Sequence, residues 1–428
     1  MTRRQTEDKV RHTTTRRGFV QDGVALAAML GLGVPAPTTT GTIAPAAPVD
    51  YYDKLGVPKI INAAGTYTYL TASIMPAQVQ AAIDLASRHN VRLRDLQAAA
   101  GEYLATQLKC EAALVSSGAA AALTLGVAAC MTRGNPDGAR DVPARAAVFP
   151  HEVIIQTAHR FVHEHALEMC GATLVEVTTL DDYQRACSDR TALAFYFNAA
   201  EGGQISRADW VRVAHAHNIP TFIDAAADVP PISNLWNLTG MGFDLVAFSG
   251  GKGMRGPQNA GLLLGRKDLI AGAVANNNPN DRSVGRGMKV AKEQIVGMVA
   301  AVDWLLQQTD DGIEAEARHR CERIAAALHG IPTLTTEIVV PPVANHVPHL
   351  MIRYDQTRVG IAPIDVASAL AKGNPAIELN PGTGHASGAA GLRSDEHTIV
   401  IGPWMMQPGD DIIVGRRLRE VLAKAVQA

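Results

Sequence analysis

Aromatic residues are scarce, at 5% of the chain, which argues against an all-β sandwich with its aromatic-rich core. There is no basic excess. Lys and Arg total 39 against 41 Asp and Glu, a net charge of −2, so the electrostatic footprint of a nucleic-acid binder is missing. Cysteine is sparse and odd in number, with five at positions 110, 130, 170, 187 and 321. No CxxC pair occurs among them, which excludes a zinc ribbon and a disulfide scaffold, and they read as small core residues. Apolar residues at 47% and charged residues at 19% of 428 positions do allow a large core, and they exclude global disorder. Abundant Gly, 38 residues, suits tight βα turns and close-packed helices. The length exceeds one average domain.

The N-terminus reads as an address. Residues 1–22 are polar and carry Arg3, Arg4, Arg11, Arg16 and Arg17. The apolar run Gly23–Val34 follows, then a Pro/Thr/Ala stretch. This is the layout of an export signal, and the run is shorter than the roughly 20 residues that span a bilayer. Thr15–Val20 (TRRGFV) resembles a twin-arginine signal. That implies the twin-arginine translocation machinery as a partner and a periplasmic or exported location, with a cytoplasmic one as the alternative. Cleavage is expected near Ala44–Ala46.

The remainder alternates strands and helices. Strands are expected at Ala112–Val115, Ala146–Phe149, Thr173–Val177, Ala192–Phe197, Pro220–Ile223 and Asp244–Phe248, with an antiparallel one at Gly261–Leu264. Helices are expected at Ala119–Met131, Ile155–Cys170, Asp181–Ser188, Arg207–Asn218 and Met288–Gln307. Continuous apolar strands between helices predict an α/β fold with a mostly parallel sheet covered on both faces. The expected division is an export signal and linker over 1–46, an N-terminal arm with helices over 47–110, a large domain over 111–300 and a smaller α+β domain over 301–428. In such sheets, ligands sit at the carboxyl ends of strands.

Three strand ends carry unusual groups. Ser116-Ser117-Gly118-Ala119 opens a helix whose free N–H groups would suit a phosphate, although Ser could simply cap that helix. Asp224 ends an apolar strand, where it could instead be an N-cap. Ser249-Gly250-Gly251-Lys252-Gly253 places a lysine among glycines, which allow close ligand approach. It is no Walker A motif, because Gly253 stands at the Ser/Thr position and Val246 where a Gly is required. A phosphate cradle, an acid and then a lysine match the needs of pyridoxal 5′-phosphate. The lysine forms the Schiff base, the acid charges the pyridine nitrogen, and the helix N-terminus neutralises the phosphate.

Longer motifs extend the match. Ile61–Thr66 (INAAGT), Ser73–Pro76, Ala112–Leu123 and Ser249–Gln258 (SGGKGMRGPQ) resemble the selenocysteine-synthase-like family of fold-type I pyridoxal-phosphate enzymes. Glu152–Ala166, Ile223–Ala227 and Gly285–Val296 resemble its D-glucosaminate-6-phosphate ammonia-lyase branch more than its selenium-transferase branch. Departures from that branch fall at Arg286-Gly287-Met288-Lys289 and at Phe161-Val162-His163-Glu164, both of which could line the substrate site.

The resemblance implies a fold-type I fold, with Lys252 as Schiff-base lysine and acid/base and Asp224 as pyridinium partner. Ser117, Gly118, Ala119 and Ser249 are then expected at the phosphate, and His159 on the ring face. Arg255, Arg286 and Lys289 suit an anionic substrate group, and Arg353 the substrate α-carboxylate. His159, His163 and His165 also have a helix-face spacing, but no carboxylate or cysteine stands at metal-site spacing, so no metal is expected. The expected activity is α,β-elimination from an amino acid or amino sugar acid, giving a keto acid and ammonia. Racemisation and transamination on the same scaffold are alternatives, and selenium transfer to seryl-tRNA(Sec) is a more distant one. A homodimer or higher homo-oligomer is implied, with a small amino compound as substrate and no nucleic acid.

Overall fold

The structure is a computed structural model that describes residues 49–133, 135, 137–200, 203, 205–387 and 392–426. The chain divides into two units, Met1–Val57 and Pro58–Ala428. In the described part of the first, Tyr51–Leu55 form a short helix capped by the Asp50 carboxylate, which accepts the Tyr52 N–H at 2.9 Å. The export signal expected over 1–46 lies outside the described residues.

Among the described residues, the second unit contains twelve strands. They are β1 (Ile60–Ala63), β2 (Ala112–Ser116), β3 (Glu152–Gln156), β4 (Thr173–Val177), β5 (Thr191–Phe197) and β6 (Thr221–Asp224). They continue with β7 (Leu245–Ser249), β8 (Gly261–Gly265), β9 (Thr335–Val339), β10 (His349–Arg353), β11 (Ala376–Leu379) and β12 (Thr398–Ile401). Seven of them form one sheet in the order β2-β8-β7-β6-β5-β3-β4. Only β8 runs against its neighbours β2 and β7, and the other pairings are parallel. The carboxyl ends of β2, β3, β5, β6 and β7 therefore share one edge, with the start of β8 beside them.

This sheet is buried on both faces, as its continuous apolar strands predict. Alternate residues of one strand serve opposite cores. In β6, Phe222 packs with Leu125, Ala129 and Phe195, while Ile223 packs with Trp210, Leu235 and Phe248. The Ala-rich helix Ala119–Thr132 lies close over one face. A third core is built by β1, β10, β11 and β12 with the helices Asp310–Ala327 and Asp410–Ala425. It contains a three-stranded antiparallel sheet, β12-β10-β9, and the parallel pair β1-β11.

Two expected elements differ. Ala146–Phe149 is not a strand, since Ala146–Val148 make a 3-10 turn and the strand is Glu152–Gln156. Nor is Ile155–Cys170 one helix. Ile155 and Gln156 finish β3, Thr157–His159 form a 3-10 turn, and only His165–Glu168 are α-helical. Val153, Ile154 and Ile155 are fully buried between β4 and β5, where β-branched side chains pack well. A short apolar run does not reveal helix or strand by periodicity alone. His159 therefore lies in a turn, and the helix-face spacing with His163 disappears.

A methyl group on Gly126 would stand 2.4 Å from Cε1 of Phe222. Gly126→Ala should lower the melting temperature through overpacking of about 1–3 kcal/mol, and adding Phe222→Leu should recover much of the loss. A calorimetric comparison of the single and double variants checks this.

Candidate active site

β2 ends at the fully buried Ser116, whose hydroxyl donates to the Gly118 carbonyl at 2.9 Å. Gly118, at φ +92°, precedes the helix Ala119–Thr132, and no side chain caps that helix. Ser117 therefore leaves the first N–H groups free, and the simple-cap reading fails. Uncapped N–H donors at a helix N-terminus suit an anion. The start of β8 presses on this turn: a Cβ on Gly261 would lie 2.6 Å from the Gly118 carbonyl carbon.

Asp224 is the last residue of β6 and is only 4% exposed. Its carboxylate accepts the Ala226 N–H at 2.8 Å and its carbonyl accepts the Asn198 N–H at 3.0 Å. No helix follows it, so it is not an N-cap. Burial raises its pKa to about 6; the Ala226 N–H and the Lys252 charge pull it down, and Asp228 pushes it up. Asp228 is buried as well, and burial raises its pKa. One of its oxygens accepts the Ala344 N–H at 2.9 Å, and that contact and the Asn198 side chain pull its pKa partly back.

Lys252 stands in the turn after β7. Its neighbours must be glycine because backbone lies against them. A Cβ on Gly253 would stand 1.9 Å from the Val229 carbonyl oxygen, and one on Gly251 2.5 Å from Gln258 Cα. Burial pushes the Lys252 pKa down, and the charges of Asp224 and Asp228 pull it partly back. Its amine is in no hydrogen bond or ion pair among the described residues. His159 is buried in the turn after β3. Its Nδ1 accepts the Phe197 N–H at 3.4 Å, and its ring meets Tyr196 edge-on at 4.3 Å. That places it at the ends of β3 and β5, one strand from Asp224. Ser249 closes β7 opposite Gly261.

Lys252 opens onto a cleft of about 190 Å³ that is also lined by Tyr67, His163, Asn345, His349, Asn380 and Trp404. The expected cationic residues lie elsewhere. Arg255 donates from Nε to the Ile74 carbonyl at 3.0 Å and lies over Trp304. Arg286 pairs with Asp281 at 3.4 Å near the surface, and Lys289 is exposed. Arg353 pairs with Glu337 at 3.7 Å. It ends β10, four residues beyond His349, which is roughly 13 Å along a strand. It is therefore His349 that β10 delivers to the cleft. Tyr67, Asp228, Asn345, His349, Asn380 and Trp404 were not foreseen. A signal existed for Tyr67, which directly follows the Ile61–Thr66 motif, and for His349, which opens the strand chosen for Arg353.

These residues fit pyridoxal phosphate. The uncapped helix can take its phosphate, and the buried Asp224, which has no cationic side chain in ion-pair contact among the described residues, can take a protonated ring nitrogen. The glycine-flanked lysine can bond its aldehyde carbon. Fold and site together define a fold-type I pyridoxal-phosphate enzyme. A class-V aminotransferase profile matches residues 162–394, and the chain belongs to that family. It is 26% identical over 392 residues to D-glucosaminate-6-phosphate ammonia lyase of Salmonella typhimurium, covering 87% of this chain and 98% of that one. Equal identity over 385 residues links it to 5′-C-glycyluridine monooxygenase-decarboxylase of a Streptomyces species, covering 87% and 92%. L-seryl-tRNA(Sec) selenium transferase of Aquifex aeolicus is 26% identical over 206 residues, covering 40% and 43%. A solved D-glucosaminate-6-phosphate ammonia-lyase structure superposes with a TM-score of 0.75 at 25% identity, covering 89% of this chain and all of that one.

An ionised Asp224 costs the cofactor-free fold stability. Its pKa rises from 3.8 to about 6, worth about 3 kcal/mol above that pH. Below about pH 4 the folded and unfolded chains both hold the proton, and the cost vanishes. Cofactor-free Asp224→Asn should therefore melt higher than wild type at pH 7. The gap should close as pH falls from about 6 to 4, in melts read across that range, while cofactor affinity is lost.

Proposed function

We propose that this protein is an ammonia-lyase acting on a 2-amino acid with a β-hydroxyl, releasing a 2-keto acid and ammonia. The observation that carries this reading is the meeting of Lys252, Asp224 and an uncapped helix N-terminus on one sheet edge. When bound, the cofactor withdraws electrons from the substrate α-carbon. Lys252, with its pKa lowered by burial, takes the α-proton. Asp224 would hold positive charge at the ring nitrogen, and His159 would pack beside the ring. Ser117, Gly118, Ala119 and Ser249 hold the phosphate.

The substrate we favour is an unphosphorylated amino acid or amino sugar acid. Apart from Lys252, the cleft's lining offers neutral hydrogen-bonding groups, and Trp404 Nε1 is a buried donor without a partner. Such a lining suits hydroxyls better than phosphate. Twin-arginine export would agree with it, since phosphorylated sugars are cytoplasmic metabolites. We also infer a homodimer, in which the surface residues Arg286 and Lys289 supply the countercharge for the substrate carboxylate across the interface. Arg255 and Arg353 serve structural contacts in this reading.

Purified residues 47–428 should show an absorbance band near roughly 410–430 nm that is lost or shifted in Lys252→Ala. A panel of amino acids and amino sugar acids should yield ammonia and keto acid from at least one member. Inverted stereochemistry without ammonia would identify a racemase instead. A folded, cofactor-supplemented sample with no band would sink the assignment of Lys252.

A further inference from the structure

Elimination of a β-hydroxyl needs a second proton transfer. Lys252 serves the α-carbon, but hydroxide is a poor leaving group, since water has a pKa of about 15.7. We propose that Tyr67 is the general acid that protonates the departing hydroxyl. The proposal rests on the elimination reading above and adds a catalytic residue to it.

The other groups in the cleft are poor donors of a proton. His349 is 3% exposed and its Nδ1 lies 2.8 Å from the Val347 carbonyl, so Nδ1 carries the hydrogen and Nε2 is bare. Burial lowers its pKa to about 4, which leaves no second proton at neutral pH. Burial and the Lys252 charge also lower the pKa of His163. Amides, an indole and threonine hydroxyls can donate hydrogen bonds, but they do not release protons near neutral pH.

The geometry around Tyr67 directs its proton. The Asn380 side chain is fixed at both ends. Its Oδ1 accepts the Gly382 N–H at 2.9 Å, and its Nδ2 donates to the Ala64 carbonyl at 3.0 Å. The amide cannot be reversed without setting oxygen against oxygen. The same Nδ2 donates to the Tyr67 hydroxyl oxygen at 3.2 Å. Tyr67 is thus an acceptor towards Asn380, and its own O–H is left for the cleft that it lines with Lys252. Burial raises its pKa above 10.0, so the phenol is protonated at neutral pH yet far more acidic than water.

The backbone holds this pair in place. β1 and β11 run parallel with Ala63 opposite Leu379, so Ala64 and Asn380 leave the two strands side by side. Asn62 then folds the chain back. Its Oδ1 accepts the Ala64 and Gly65 N–H groups at 3.0 Å each, and its Nδ2 donates to the Gly65 carbonyl at 2.9 Å. Gly65 takes φ +127°, and a Cβ there would stand 3.3 Å from Trp404 Nε1.

The step balances. Lys252 Nζ takes the Cα proton, and the electron pair of that C–H bond ends as the Cα=Cβ bond. The Cβ–O bond breaks with its pair on oxygen, and the Tyr67 proton completes water. The phenolate keeps the Asn380 N–H bond and regains a proton from solvent.

The test is Tyr67→Phe in the holoenzyme, with serine, D-glucosaminate and β-chloroalanine as probes and both enantiomers of the amino acids. Chloride leaves without a proton, so general acid help matters only for hydroxide. Ammonia release from the hydroxyl probes should fall about 100-fold or more. Release from β-chloroalanine should stay within about threefold, with the visible band unchanged. In cofactor-free protein, alkaline ultraviolet titration of the variant should lack one phenol that ionises above 10.0 in the wild type. Equal losses on both leaving groups, or no loss on either, would overturn the role of Tyr67 alone. Wild-type enzyme that releases ammonia from none of the probes would overturn the elimination reading and this role with it.

Discussion

The site depends on a carboxylate and an amine withdrawn from water on one sheet edge without an ion pair between them. Asp224 and Lys252 each feel the other's charge, yet burial dominates both, raising the acid and lowering the base. Both groups are thus harder to keep charged than an isolated side chain would be. Such a pair is unstable unless the surroundings prevent its collapse. Here the surroundings are two adjacent parallel strands, β6 and β7, with apolar packing on both faces. The spacing of the two groups follows from the sheet and not from flexible side chains.

Close backbone contact completes that constraint. Gly253 lies against Val229, Gly251 against Gln258 and Gly261 against Gly118. These contacts lock the lysine turn, the start of β8 and the helix N-terminus into one edge. The loop after β6 is tied onward: Asp228 holds the Ala344 N–H, and the Ala227 carbonyl accepts the Asn345 N–H at 2.7 Å. Ala344 and Asn345 both take left-handed φ values of 48°, which is costly for a residue such as alanine. The Asp228 contact offsets part of that strain and carries Asn345 into the cleft.

The sheet edge was legible in the sequence because its chemistry is local. Asp224, Lys252 and the Ser116–Ala119 turn each follow an apolar strand directly, and continuous apolar runs declare a buried parallel sheet. The Ile155–Cys170 segment was misread from its start, where Ile155 and Gln156 finish a buried strand whose short apolar run has no periodicity to separate strand from helix. The cleft wall was illegible for a different reason. Tyr67 and Asn380 are 313 residues apart, and the β1-β11 pairing brings the turns that carry them together. Arg353 shows the same limit, because the choice of β10 was useful while its cleft-facing end depended on strand direction.

That difference has a mechanistic consequence. Groups that handle the cofactor lie on the large parallel sheet, whose geometry tolerates little change. Most other residues lining the cleft come from β1, β11, β10 and the loops beside them, with His163 from the segment after β3. These three strands belong to a separate core, and they reach the cleft through single hydrogen-bonded turns such as the one Asn62 folds. Changing Asn345 or His349 leaves the large sheet's own packing intact. Carbanion formation can therefore be kept while the leaving group and substrate tail are re-specified. In its proposed role the Tyr67–Asn380 pair spans the two demands: it would act on the reacting bond, yet it is held by the β1-β11 pair of the smaller core. On the elimination reading proposed above, the fate of the carbanion would be set outside the sheet that generates it.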